Sequence, residues 1–189
     1  MRRPYFEVAF SDAVMAEQVR YGTRRGVVTA AEDDRPEPRQ SLDEAASSFI
    51  GRRDGFYLAS VSVSGWPYVQ FRGGPAGFVR VVDPHTLGWA DFAGNGQYIS
   101  SGNMTENDKI ALFFMDYARQ TRLKLYGHAH VEDIRDDPAA IEAFAMPDYD
   151  AAVERVVTVD VVAFDWNCPQ HITPRFTLQE IASSASARR

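Results

Sequence analysis

The chain has 189 residues, 45% hydrophobic, 24% charged and 12% aromatic, a size and balance suited to one globular domain with a real core. Twenty Lys and Arg stand against twenty-six Asp and Glu, and a formal charge of −6 argues against broad nucleic-acid binding, which draws on many phosphate contacts. A single cysteine, Cys168, excludes an intramolecular disulfide and a multi-cysteine metal site. No run of about 18 apolar residues offers a membrane span. Glu7, Asp12 and Glu17 interrupt any apolar signal stretch behind Arg2 and Arg3, so the expected location is the cytoplasm.

Ser11-Asp12 opens a short capped helix that ends near Gly22. Residues 24–40 are charged and contain Pro36 and Pro38, which predicts a loop or an arm able to wrap a neighbour. Ser41-Leu42-Asp43-Glu44 reads as a capping box, with Ser41 as the cap of a helix to about Ile50. Strands follow over 56–63, 66–71, 78–82 and 86–92, joined by turns at Ser64-Gly65 and Asp83-Pro84. Residues 94–102 are expected to form a loop before a helical piece near Thr105–Asp108. The apolar run 109–115 predicts a strand covered on both faces. Over 123–131, apolar residues alternate with Lys124, Tyr126, His128 and His130, the pattern of a half-buried strand. A helix from Asp137-Pro138 to Phe144, a further turn over 149–154, a last strand over 156–164 and a disordered end over 182–189 complete the reading. Short strands with hairpin-length links and few helices make a β-barrel-centred α+β fold.

Several residues carry possible chemistry. Arg72-Gly73-Gly74 follows a strand, and Gly94-Asn95-Gly96-Gln97-Tyr98 offers successive N–H groups that can nest an anion; equally, these glycines can simply turn corners. Arg72 and Arg122 stand beside apolar strands, where arginine is costly to bury alone. They either pair with internal carboxylates such as Asp91 or Asp116, or face a bound anion, for which a guanidinium fork is well shaped. His128 and His130 share a strand face and can begin a metal site, but the ligand set is incomplete, so no metal is expected. Cys168 and His171 lie in one short loop, with no orienting acid beside them.

The segments Asp54–Val61, Gly65–Pro75, Asp91–Asn95, Gln97–Asn103, Arg122–Gly127 and Trp166–Ile172 together resemble the pyridoxamine 5′-phosphate oxidase-like superfamily of FMN-binding split β-barrels. Within it, the closer resemblance is to the branch of predicted flavin-nucleotide-binding proteins, over about 41–176. The resemblance implies an arm over 1–40, an FMN-binding split barrel over 41–176 and a tail over 177–189. It also implies a homodimer with FMN between subunits, an oxidoreductase acting on a small molecule, and no nucleic-acid or membrane partner. Cofactor contacts carry over to Arg72, Gly73, Asp91, Phe92, Asn95, Gln97, Tyr98, Arg122, Trp166 and Arg175. Asn95-Gly96-Gln97 stands where the oxidases typically have Ser-Arg-Lys, and their Arg-Leu-His-Asp-Arg and Arg-Leu-x-Pro motifs are missing. These departures point away from vitamin B6 oxidation. A flavin-binding sensor or store, or a barrel carrying F420 or haem, are the alternatives.

Overall fold

The structure, a computed structural model, describes residues 4–23 and 37–186. Most of the expected arm, 24–36, lies outside the described residues, as do 187–189. Seven strands form one antiparallel sheet: β1 (Gly55–Val61), β2 (Pro67–Gly73), β3 (Val79–Asp83), β4 (Thr86–Phe92), β5 (Lys109–Asp116), β6 (Thr121–Asp133) and β7 (Val153–Asn167). Their order is β2-β1-β5-β6-β7-β4-β3. The helices are α1 (Pro4–Ala9), α2 (Asp12–Arg20), α3 (Glu44–Ile50), α4 (Ile99–Glu106), a 3-10 turn (Pro138–Ala143) and α5 (Leu178–Ser186). None is long and apolar enough to cross a membrane.

Aromatic packing shows how the sheet curls. Phe56 on β1 lies 4.9 Å from the Trp89 ring on β4, 5.1 Å from Phe114 on β5 and 5.9 Å from Phe78. Three strands separate β1 from β4 in the sheet, so these rings meet only because the sheet rolls around them. Each such ring contributes about 1.5–3 kcal/mol by burial. Leu58, Leu87, Leu112, Leu123, Leu125, Val157 and Val159 fill the same interior, with Phe49 and Ile50 of α3 and Met104 of α4. The result is an α+β split barrel whose unpaired edges are β2 and β3.

All seven predicted strands appear, and the β1–β2 turn is made by Gly65 at φ 84°. The cap of α3 is Asp43 and not Ser41: the Ala46 N–H donates to Asp43 Oδ1 at 2.7 Å. The chain is still extended before it, because the Leu42 N–H donates to the Pro84 carbonyl at 2.6 Å. α4 starts at Ile99, inside the expected loop, and buries Ser100, Ser101 and Asn103 beside Met104. A polar buried face gives no apolar period, which hid the helix. β5 buries Ile110, Leu112, Phe114 and Asp116 on one side and leaves the other half-covered, so it is not enclosed on both faces. Residues 149–152 are irregular, with no helical turn, before β7 begins at Val153. Over 182–186, where disorder was expected, α5 continues. Its start is a capping box, Thr177 with Glu180, in which the Thr177 N–H donates to Glu180 Oε2 at 2.8 Å and the Glu180 N–H to Thr177 Oγ1 at 3.2 Å.

Candidate functional site

Along β2 the side chains alternate, with Gln70 and Arg72 turned inward and Val69 and Phe71 outward. The curl of the sheet carries Arg72 across the split to β4. There its Nε lies 3.4 Å from Asp91 Oδ1, with 17% of the arginine side chain and 2% of the aspartate exposed. Arg155, paired in register with Asp91, approaches Asp91 Oδ2 at 3.2 Å and Glu154 Oε2 at 2.8 Å. Tyr98 closes the group: its hydroxyl donates to Glu154 Oε1 at 2.9 Å, and the Arg155 guanidinium sits 4.8 Å from its ring. That hydrogen bond to Glu154, with the carboxylate's negative charge, raises the Tyr98 pKa. Tyr98 adopts φ 52°, ψ 20°, a left-handed conformation costly for a bulky side chain, at the start of α4.

Arg72, Tyr98, Glu154 and Arg155 line a cavity of about 30 Å³ with Gln70, Phe92, Gly94, Asn95, Gly96 and Ser101. A second cavity of about 440 Å³ adjoins it through Tyr98, Glu154 and Arg155, which line both. Two buried atoms here lack hydrogen-bond partners among the described residues, Arg72 Nε and Ser101 Oγ, the latter on a residue only 8% exposed. Nor does any hydrogen bond among the described residues hold the terminal nitrogens of Arg72. The charges here are two partly buried arginines against the buried Asp91 and the partly buried Glu154, a neutral set with donor capacity left over. Such a set suits an anionic group offering oxygen acceptors. In the adjoining loop the Gln97 N–H donates to Asn95 Oδ1 at 3.1 Å, and the Gln97 side chain is exposed.

The expected contacts therefore divide. Arg72, Asp91, Phe92, Asn95 and Tyr98 gather at the split, with Gln97 on the loop rim and Gly73 one residue beyond Arg72. Arg122, Trp166 and Arg175 lie elsewhere. With its amide oxygen toward Arg122, Asn167 accepts from Nε and Nη2 at 2.7 and 2.8 Å. Trp166 packs edge-on against Phe49 at 5.0 Å. The Arg175 guanidinium lies 5.0 Å from the Tyr117 ring, and the Tyr117 and Tyr57 hydroxyls are 3.3 Å apart. Of the two carboxylates considered for the arginines, Asp91 takes Arg72, whereas Asp116 goes to Arg53 at 2.8 Å and Arg119 at 3.1 Å.

Sequence reasoning missed Gln70, Ser101, Glu154 and Arg155. Arg155 carried a signal like that of Arg72, a lone cation at the end of a strand, here the start of β7. Ser101 carried none. His128 and His130 do not converge on a shared ligand: carboxylates occupy each, and no group of three or more metal-binding side chains forms among the described residues. Cys168 is exposed, with Gln170 as its neighbour at 3.7 Å.

A curled antiparallel sheet with a polar set at its split defines the class, a split-barrel protein. The chain belongs to the pyridoxamine 5′-phosphate oxidase family, whose model matches residues 42–162. A candidate pyridoxamine 5′-phosphate oxidase from Lactobacillus delbrueckii superposes with a TM-score of 0.51 at 22% identity, covering 66% of this chain and 93% of that one. HupZ of Group A Streptococcus superposes at 0.50 with 16% identity, covering 71% and 99%. At these identities the likeness is one of fold. No curated protein sequence matches the chain.

Proposed function

We propose that this chain is an FMN-binding oxidoreductase acting on a small molecule as a homodimer, and that it is not a vitamin B6 oxidase. The observation that carries the reading is the unsatisfied donor set at the split, Arg72 with the buried Ser101 hydroxyl, in a chain of this family. Arg72 and Ser101 would hold the cofactor's phosphate, and backbone donors of the 94–97 loop would take the place of the missing cationic loop. Asp91 and Glu154 hold Arg155, which walls the site and orients Tyr98. When bound, FMN supplies the hydride chemistry, and the protein supplies position and electrostatics.

The dimer reading rests on the outer face of β1, β2 and β5. Val69 and Phe71 are 60% and 56% exposed there, and Trp66 at the hairpin tip is 77% exposed. A single chain rarely leaves so much apolar surface together. A partner seated on this face would bring a second chain to Arg122, which shares the outer side of the sheet. Phe71→Glu is expected to convert the dimer to monomer in sedimentation velocity; an unchanged dimer would place the interface elsewhere.

The cofactor test is direct. The purified protein should be yellow, and mass spectrometry of the released cofactor should give FMN. F420 or haem would replace the assignment, and a colourless protein that does not bind added FMN would end it. Reduction of the bound flavin by NADH or NADPH under anaerobic conditions then tests turnover; retention of FMN with no reduction by any donor favours the sensor or store.

A further inference from the structure

His128 lies on the outer face of β6, away from the split, and carboxylates meet both of its ring nitrogens. Nε2 is 2.6 Å from Glu37 Oε2, and Nδ1 is 3.0 Å from Asp108 Oδ2. A neutral imidazole has one N–H and can satisfy one of these oxygens, leaving its lone pair aimed at the other. Only the imidazolium donates to both. Asp108 belongs to the barrel, directly before β5, whereas Glu37 belongs to the segment that precedes α3. That segment is pinned further along, where the Gln40 N–H donates to the Val162 carbonyl at 2.9 Å and the Phe164 N–H to Gln40 Oε1 at 3.0 Å. Among the described residues upstream of Gln40, His128 is the barrel side chain that meets Glu37.

The other neighbours of the ring set its charge. Lys109 stands directly opposite on β5 and opposes a positive ring; Asp160 stands opposite on β7 and favours one, although its carboxylate also meets His130 Nε2 at 3.2 Å. α1 contributes Val8, an apolar side chain, to the groove of about 310 Å³ that Glu37 and His128 share with Ala59, Val61 and Ala111. Partial burial works against the charged ring, and the hydrogen bonds to Glu37 and Asp108 outweigh it, so the pKa is raised above the ordinary histidine value.

We propose that His128 is a proton-operated latch that clamps the Glu37 segment to the outer face of the barrel through an imidazolium held between Glu37 and Asp108. The sign follows from the raised pKa. Below the ordinary histidine value, about 6.5, the ring is charged and the latch is closed. As pH rises through the higher value of the folded chain, the ring loses a proton and with it one carboxylate contact. The barrel-side carboxylate keeps the remaining N–H, because Asp108 is anchored at the strand, and the Glu37 side is the one that opens.

The test follows both partners in the intact chain. NMR titration of the His128 ring gives its pKa, and ¹⁵N relaxation of the Glu37 and Arg39 amides reports the segment's order on the same samples. At pH 6 these amides should be ordered, and they should loosen through the ring's titration, toward order parameters below about 0.6. Glu37→Gln should lower the His128 pKa and leave the segment loose at both ends of the range. Asp108→Asn should lower the pKa as well. Amides equally ordered on both sides of the titration would overturn the latch. So would a His128 pKa that Glu37→Gln does not move.

Discussion

Arg72 and Arg122 sit almost level across four hydrogen-bonded strands, yet they face opposite ways. Arg72 on β2 is opposite Phe56 on β1, which is opposite Phe114 on β5, which is opposite Leu123 on β6. Arg122 is one residue from Leu123, and one residue is enough to send a side chain through the sheet. Inside the curl, Arg72 meets a buried carboxylate and a cavity. On the other face, Arg122 meets the side-chain amide of Asn167. The inner arginine is balanced by a charge that cannot leave; the outer one is held by a neutral group that can be exchanged for a stronger acceptor. The first belongs to the stability of the barrel as much as to any ligand, and the second is free to serve a ligand or a neighbouring subunit.

The largest effect should come from the carboxylate at the split. Asp91→Ala leaves Arg72 and Arg155 without their shared anion, and the uncompensated buried charge should cost about 3–5 kcal/mol in urea unfolding. A loss below 1 kcal/mol would mean that water reaches both arginines and that the inner face is less distinct than it looks. Next come the arginines themselves. Arg72→Ala and Arg122→Ala should each weaken FMN binding by about 1.5–3 kcal/mol, measured by quenching of flavin fluorescence. Equal losses support a site shared by the two faces through the dimer. A loss from Arg72→Ala alone confines the cofactor to the split, and unchanged binding in both removes it from these residues. The smallest effect concerns the lid of the inner site. Glu154→Gln removes the negative acceptor of the Tyr98 hydroxyl, so the raised Tyr98 pKa should fall toward the ordinary tyrosine value in an ultraviolet titration. No change would detach Tyr98 from the ionic set.

Strands were legible wherever apolar residues alternate with polar ones, as from Leu123 to Val131, because a period of two reports one buried face directly. α4 was not legible, since its inward residues are Ser100, Ser101 and Asn103. Their partners, Gln70 at 3.2 Å from Ser100 Oγ and Ser60 at 3.0 Å from Asn103 Nδ2, lie 30 and 43 residues away. The same holds for Arg155, whose meaning depends on Asp91, 64 residues earlier. The capping box that starts α5 is legible in Thr177-Leu178-Gln179-Glu180, a threonine followed three residues later by a glutamate. At α3 the reverse occurred: Ser41 and Asp43 both resemble caps, and a carbonyl outside the segment, that of Pro84, selected the later one.

By itself the sequence determined the class of fold, the strands, the family and the residue types able to meet an anion, because periodicity, turn chemistry and motif order are local properties of the chain. Which arginine points inward, which carboxylate it meets, and that Ser101 ends buried without a partner were decided only by the curl of the sheet. Face and pairing depend on strand register and barrel closure, and those are settled by contacts between residues far apart in the chain.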